Sequence, residues 1–192
     1  MGTYAMPDGV AAIGNAAFSH CYSLTAVTMP NGLASIGGGA FNWCTTLPSL
    51  TIPSSVTSIG VGAFSWCTNL TALRFRGNAP SAGSDVFYAD DRATVYYLPG
   101  KTGWGATFGG RPTALWLPQM VTGDASFGVR TNQFGFNIAW ASGQVVVVEA
   151  CSSLANHIWS SLQTNTLSGD LRYFSDPEWT NHPARFYRLR SP

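Results

Sequence analysis

The chain repeats itself every 23 residues through its first half, and nothing else in it constrains the fold as strongly. Ile13, Ile36 and Ile59 share one column, each followed by a glycine: Gly14, Gly37 and Gly60. Phe18, Phe41, Phe64 and Phe87 form a second column, Cys21, Cys44 and Cys67 a third, and Leu24, Leu47 and Leu70 a fourth. Tyr4, Val27, Leu50, Leu73 and Tyr96 make a fifth. Pro7, Pro30, Pro53 and Pro99 make a sixth, in which Arg76 is the exception. The unit reads L-x-x-(V/L)-x-(I/M/F)-P-x-x-(V/L)-x-x-I-G-x-x-A-F-x-x-C. Self-similarity at such a period marks a stack of like units.

The columns carry their own physics. Apolar positions two apart, as in Leu50 and Ile52, predict a short strand with one buried face, which the following proline ends. The Ile-Gly step predicts a second extended piece closed by a tight turn. Phe, Cys and Leu three apart predict one turn of helix or 3₁₀ coil. A single coil of this length cannot bury its apolar edge, whereas stacked coils can, so the expectation is a solenoid with a continuous ladder core.

This pattern closely resembles the BspA-type leucine-rich repeat, over roughly residues 1–118. The resemblance implies a right-handed, mainly β solenoid with 23-residue coils, from a bacterial or parasite surface or secreted protein. It implies adhesion or recognition rather than catalysis. One position departs from the family pattern: the residue before the cysteine, commonly small, is His20, Trp43 or Trp66 here. The fourth coil is degenerate, with Ala82 at the isoleucine position and Asp90 at the cysteine position. A segment rich in glycine, with Trp104 and Phe108, then leads to Ala114–Pro118, so residues from about 77 to 118 read as a C-terminal cap. No polar cap precedes Tyr4. The strand edge and ladder rim there (Val10, Ile13, Phe18) are expected to need cover, from further repeats or by self-association.

After Pro118 the pattern changes. Phe134, Phe136, Ile138 and Trp140 alternate with smaller residues, and Val145 to Ala150 is rich in β-branched side chains. Trp159–Gln163, Leu171–Ser175 and Ala184–Arg190 are further strand candidates, separated by Ser-Gly and Asp-Pro turns. Short strands at this spacing predict an antiparallel β-sandwich over 119–192, of immunoglobulin or fibronectin type. The segments around Cys151, Asp176 and Arg188 resemble the small β-sandwich modules that end secreted multidomain bacterial proteins.

Composition narrows the function. Ten basic residues against nine acidic, with Lys101 the only lysine, give no basic stripe for nucleic acid. The longest clean apolar run, Val145–Val148, is far too short to span a membrane. No export signal opens the chain. The three histidines, His20, His157 and His182, share no metal-ligand spacing with one another or with a cysteine, and no catalytic motif is present. No metal, cofactor or enzymatic activity is therefore expected. The Cys21, Cys44, Cys67 column and the Phe18, Phe41, Phe64, Phe87 column read as buried structural ladders, the cysteines reduced. Asp85, Asp90 and Asp91 read as a solvated turn rather than a calcium loop. Arg185, Arg188 and Arg190 read as edge-strand charges.

Two rows remain as binding candidates. His20, Trp43 and Trp66 stand one per coil, an aromatic stripe with a step of about 4.8 Å that suits a sugar ring or an apolar partner surface, unless the rings pack on each other. Thr28, Thr51, Arg74 and Tyr97 form the outward row of the strands, the extended face that solenoids use for binding. The expected function is a cell-surface or secreted, non-enzymatic recognition or adhesion module for a protein or glycan. The rivals are a subunit that assembles end to end into a filament and a polysaccharide-binding accessory domain.

Overall fold

The structure, a computed structural model, describes residues 2–192, which form two compact units that divide between Trp116 and Leu117. Both are β. The one helical element among the described residues is a 3₁₀ turn at Trp179–Asn181, and no helix is long and apolar enough to cross a membrane.

In the first unit each coil contributes two short strands. In chain order these are β1 (Thr3–Ala5), β2 (Ala12–Ile13), β3 (Ala26–Thr28), β4 (Ser35–Ile36), β5 (Ser49–Ile52) and β6 (Ser58–Ile59). Then come β7 (Ala72–Phe75), β8 (Ser81–Ala82), β9 (Thr94–Tyr97), β10 (Thr107–Phe108) and β11 (Arg111–Leu115). β2, β4, β6 and β8 pair in parallel, one coil on the next. β5, β7, β9 and β11 form a second parallel ladder, β1 pairs with β3, and β10 turns back antiparallel on β11. The result is a β-solenoid of stacked coils. Its core is the set of repeated columns: Phe41, Phe64 and Phe87 are fully buried, and Leu33, Ile36, Ile59, Leu47 and Leu70 close around them. Phe18, Phe41, Phe64 and Phe87 stack face to face, with centroids 5.1–5.6 Å apart and planes within 11°. Ile13, expected at an open rim, is buried, and Phe18 is half-buried against Tyr4.

The glycines after Ile36 and Ile59 serve the stacking rather than a turn, whereas a Cβ on Gly14 would meet nothing within 4 Å. A Cβ on Gly60 would lie 2.7 Å from the backbone of Gly37 and Gly38, and one on Gly37 would lie 2.6 Å from the Asn15 amide. Only glycine lets successive coils approach this closely. Ala82 replaces the isoleucine in the fourth coil, but Gly83 is retained and β8 continues the ladder.

The Phe–Cys–Leu arc, expected as one turn of helix or 3₁₀ coil, is a succession of turns that keeps 3₁₀-type bonds at alternate residues only. The amides of Ala17, Ser19 and Cys21 bond to carbonyls three residues back, while those of Ala16, Phe18 and His20 bond to Gly38, Ala40 and Asn42 of the next coil. The next coil repeats this with Gly39, Phe41 and Trp43 on Val61, Ala63 and Ser65. Alternate amides thus leave the coil, which a helix cannot allow.

One register differs from the sequence expectation. Leu50 pairs with Leu73, but Leu73 pairs with Val95, a step of 22 residues. The fourth coil is one residue short between Ala93, which takes the leucine column, and its strand. Slipping a strand by one residue turns every side chain to the other face. Val95 is therefore fully buried, Tyr96 stands opposite Arg74, and Tyr97 stands opposite Phe75. Tyr97 packs on the core and stacks on Trp104, at 5.1 Å and 9°. The outward row is Thr28, Thr51, Arg74 and Tyr96, and Tyr97 leaves it.

The second unit comprises β12 (Gln119–Val121), β13 (Gly128–Arg130), β14 (Gln133–Ala139), β15 (Val145–Cys151), β16 (Ser160–Thr166), β17 (Leu171–Asp176) and β18 (Phe186–Arg190). β14 pairs with β12, β13 and β17, and β15 lies between β16 and β18, all antiparallel. Rings join the two sheets: Phe134 of β14 stacks on Tyr187 of β18 at 4.9 Å, and Phe136 meets Tyr187 at 5.9 Å. Phe136, Ile138, Val146, Val148 and Phe174 are buried.

Candidate functional site

The residue before each cysteine has a left-handed backbone: φ is +60° at His20, +61° at Trp43, +63° at Trp66 and +64° at Ala89. A bulky residue adopts this region rarely. Here the inter-coil bonds from the Trp43 amide to Ser65 and from the Trp66 amide to Tyr88, 2.9 and 2.8 Å, hold it. The rings consequently project in register. Trp43 and Trp66 stack at 4.7 Å with planes 5° apart, and His20 continues the stack at 6.2 Å and 11°. That distance is the spacing of the coils themselves. A ring inside the stack has both faces covered by its neighbours, so Trp43 offers only its edges to solvent. The stripe expected to hold sugars along its length is, through its middle, a second aromatic ladder.

The stack ends at the fourth coil, where Ala89 takes the ring position. Tyr88 meets Trp66 there instead, at 5.8 Å and 66°, so the two rings make a corner. At the other end, Tyr22 meets His20 at 80°.

On the strand side, the guanidinium of Arg74 lies 5.8 Å from the Tyr96 ring centroid and 5.9 Å from that of Trp116. Both distances lie within cation–π range. Sequence reasoning found Thr28, Thr51 and Arg74 in this row. It missed Tyr96 because the register slip lies in a Tyr96-Tyr97 pair, where a one-residue offset leaves the residue type unchanged. It missed Trp116 because β11 lies beyond the regular repeats.

All four cysteines are free thiols; Cys44, Cys67 and Cys151 are buried, but Cys21, expected to be buried with its column, is only half-buried in the first coil. Cys44 donates to the Phe18 carbonyl at 3.1 Å, and Cys67 to the Phe41 carbonyl at 3.0 Å. Contact with the Cys44 thiol, together with burial, holds the Cys67 thiol far above the ordinary range. Asp90, expected in a solvated turn, occupies the next place in this column and is 1% exposed. Neither carboxylate oxygen makes a hydrogen bond of good geometry. Burial pushes its pKa up to about 7, against the pull of the Cys67 backbone and the Arg111 charge. Arg111 instead donates to the Asp90 carbonyl at 3.3 Å and pairs with the exposed Asp91 at 2.8 Å.

In the second unit the arginine cluster is neutralised within the unit. Arg188 and Arg190 bond the buried Glu149 at 2.6 and 3.1 Å, and Arg185 lies 2.6 Å from the buried Asp176. Their bonds to Glu149 hold its carboxyl below the usual range. A hollow of about 360 Å³ lies beside Cys151, Ser152, His182 and Arg185, and Ser152 Oγ is 3.1 Å from His182 Nδ1. Asp176 is committed to Tyr187, Arg185 and the Glu178 amide. The serine–histidine pair thus lacks, among the described residues, the orienting acid of a nucleophilic triad. No group of three metal-ligating side chains occurs among the described residues.

The profile described as BspA type Leucine rich repeat region matches residues 2–102, in six copies. No curated protein matches. A leucine-rich repeat protein of T. pallidum is similar in structure, at 24% identity and a TM-score of 0.42, over 49% of this chain and 57% of that one. One from Bacteroides ovatus has 26% identity and a TM-score of 0.44, over 50% and 25%. A leucine rich cell surface protein from Faecalibacterium prausnitzii has 24% identity and a TM-score of 0.41, over 50% and 35%. The chain thus spans less than two thirds of each.

Proposed function

The chain belongs to the BspA-type leucine-rich repeat family, and from that premise we propose that it is a non-enzymatic, extracellular or cell-surface module that binds a protein partner through the outward face of the strand ladder. The observation that carries this reading is Arg74, set over Tyr96 and Trp116 in the outward row, with Thr28 and Thr51 continuing the row along earlier coils. Tyr, Trp and Arg are the side chains that dominate binding energy where they cluster. The rings hold the guanidinium in place before any partner arrives, so less side-chain entropy is lost on binding. A parallel ladder is also rigid and presents one residue per coil at a fixed step.

The second unit acts in this reading as a β-sandwich spacer or anchor. The support is its two antiparallel sheets joined by Phe134, Phe136 and Tyr187.

Biolayer interferometry of the immobilised chain against a panel of purified cell-surface and matrix proteins tests the proposal. A binder is expected, weakened tenfold or more by Arg74→Ala and by Trp116→Ala. Binding that both variants retain in full, or a silent panel, overturns the reading.

A further inference from the structure

The aromatic ladder is closed along its middle and ends, at the fourth coil, in a corner of two rings. Trp66 stacks on Trp43 with one face only. Ala89 leaves the next ring position empty, and a shallow hollow of about 290 Å³ there is lined by Asn42, Ser65, Trp66, Asp85 and Tyr88. Asn42, Ser65 and Tyr88 are one column, 23 residues apart, so the hollow runs across three coils. Tyr88 is 57% exposed and stands where the earlier coils carry Ser19, Asn42 and Ser65. An aromatic placed in a column of small polar residues is the feature that turns the end of a stack into a corner.

We propose that this corner is a subsite for a single pyranose ring. This goes beyond the protein-binding reading and uses a different arc of the coil. The apolar C–H face of a pyranose packs on an aromatic face, and two rings at an angle to one another, Trp66 and the exposed Tyr88, line the hollow. The polar groups around it are mixed. The Asp85 carboxylate is exposed and accepts, the Asn42 amide both donates and accepts, and the Tyr88 hydroxyl does the same. Ser65 Oγ donates to the Asp85 carbonyl at 2.7 Å and keeps its lone pairs for a further donor. Neighbouring sugar hydroxyls donate and accept in turn, which such a set satisfies. A cationic side chain would use the rings and Asp85 but leave the Asn42 donor without a role.

Saturation-transfer NMR of the full chain tests the assignment. The probes are methyl glucopyranoside, galactopyranoside, mannopyranoside and N-acetylglucosaminide, with tetramethylammonium beside them. At least one sugar is expected to bind with millimolar affinity, weakened tenfold or more by Tyr88→Ala and three- to tenfold by Asp85→Asn. Asparagine tolerates the left-handed backbone of Asp85, where φ is +56°, so the second variant removes the charge without disturbing the turn. Silence across the sugars, sugar binding unchanged in both variants, or a response to tetramethylammonium alone overturns the proposal. Arg74→Ala is expected to leave the sugar signal unchanged, so failure here is distinct from failure of the protein-binding reading.

Discussion

The two units bury their aromatic residues by opposite rules. In the regular coils of the solenoid a ring meets the ring at its own column position one coil on, so Phe41 packs on Phe18 and Phe64, and Trp43 on His20 and Trp66. In the second unit each ring meets a different partner: Phe134 packs on Phe127 and Tyr187, and Phe136 on Phe174 and Tyr187. Parallel coils of equal length translate one environment along an axis, whereas antiparallel strands bring together parts of the chain with unrelated sequences. The same contrast governs charge. The solenoid buries a lone carboxylate in a thiol column, while the second unit buries Glu149 with two arginines. It follows that a substitution in the solenoid is felt by its coil neighbours, and one in the second unit by its individual partners.

The largest expected effect is that of Phe64→Ala, which removes a fully buried ring stacked on both sides. Loss of about 3–5 kcal/mol is expected for such a change. Hydrogen exchange measured residue by residue should show lost protection in the coils of Phe41 and Phe87, with residues 117–192 unchanged. Equal loss in both units would break the comparison.

Asp90 gives the next effect, and it separates the units by the sign of their pH response. Its folded pKa of about 7 lies above the unfolded value of about 3.9, so between those values the unfolded state has released its proton and the folded state has not. Stability of the solenoid should therefore fall as pH rises from about 4 to 7 and then level off, by about 2–4 kcal/mol at most. Glu149 behaves oppositely: its folded carboxyl is depressed, so its contribution is present above the unfolded value of about 4.3 and is lost as pH falls further. Urea denaturation followed at each pH would read this. Asp90→Asn should raise stability at pH 8 and flatten the fall. A solenoid whose stability rises through that window, or an unchanged slope in the variant, would contradict the placement of Asp90.

Cys67→Ala should cost about 1–2 kcal/mol, since a small buried group and its bond to the Phe41 carbonyl are both lost. Cys67→Ser retains a donor at that site and should recover part of the loss. A serine variant no better than alanine would show that the thiol acts by volume alone.

The smallest effect is expected of Glu149→Gln, about 1 kcal/mol, because its arginine partners are nearly half exposed. Double-mutant cycles with Arg188→Ala and Arg190→Ala should show coupling to each partner and none to solenoid residues. Coupling to a solenoid residue would remove the distinction between the units.

Legibility followed the same division. The phenylalanine, cysteine, leucine and isoleucine columns were readable from spacing, because a residue that repeats at a fixed step in equal coils must meet its own copy. The slip at Val95 was hidden because Tyr96 and Tyr97 are alike, and only the ladder register shows which of them faces outward. Asp90 read as a turn acid because exposed aspartates are the rule, yet it inherits a cysteine's place and that place is closed. The Trp43–Trp66 pair was readable as a stripe, but whether its ring faces are free depends on side-chain torsions that spacing does not specify. In the second unit, strand positions were legible from alternation. The pairing of Glu149 with Arg188 and Arg190, some forty residues on, was not, since nothing local encodes which strands become neighbours.

The amino-acid sequence by itself determined the solenoid, its period and the identity of its core columns, because translation along a stack converts sequence spacing directly into spatial contact. Tertiary structure alone decided the register of the fourth coil, the burial of Asp90, the corner at Trp66 and Tyr88 and the partners of Glu149. Each of these depends on where the repeat is broken or absent, and there contact is set by packing between segments whose separation in sequence carries no information about their distance in space.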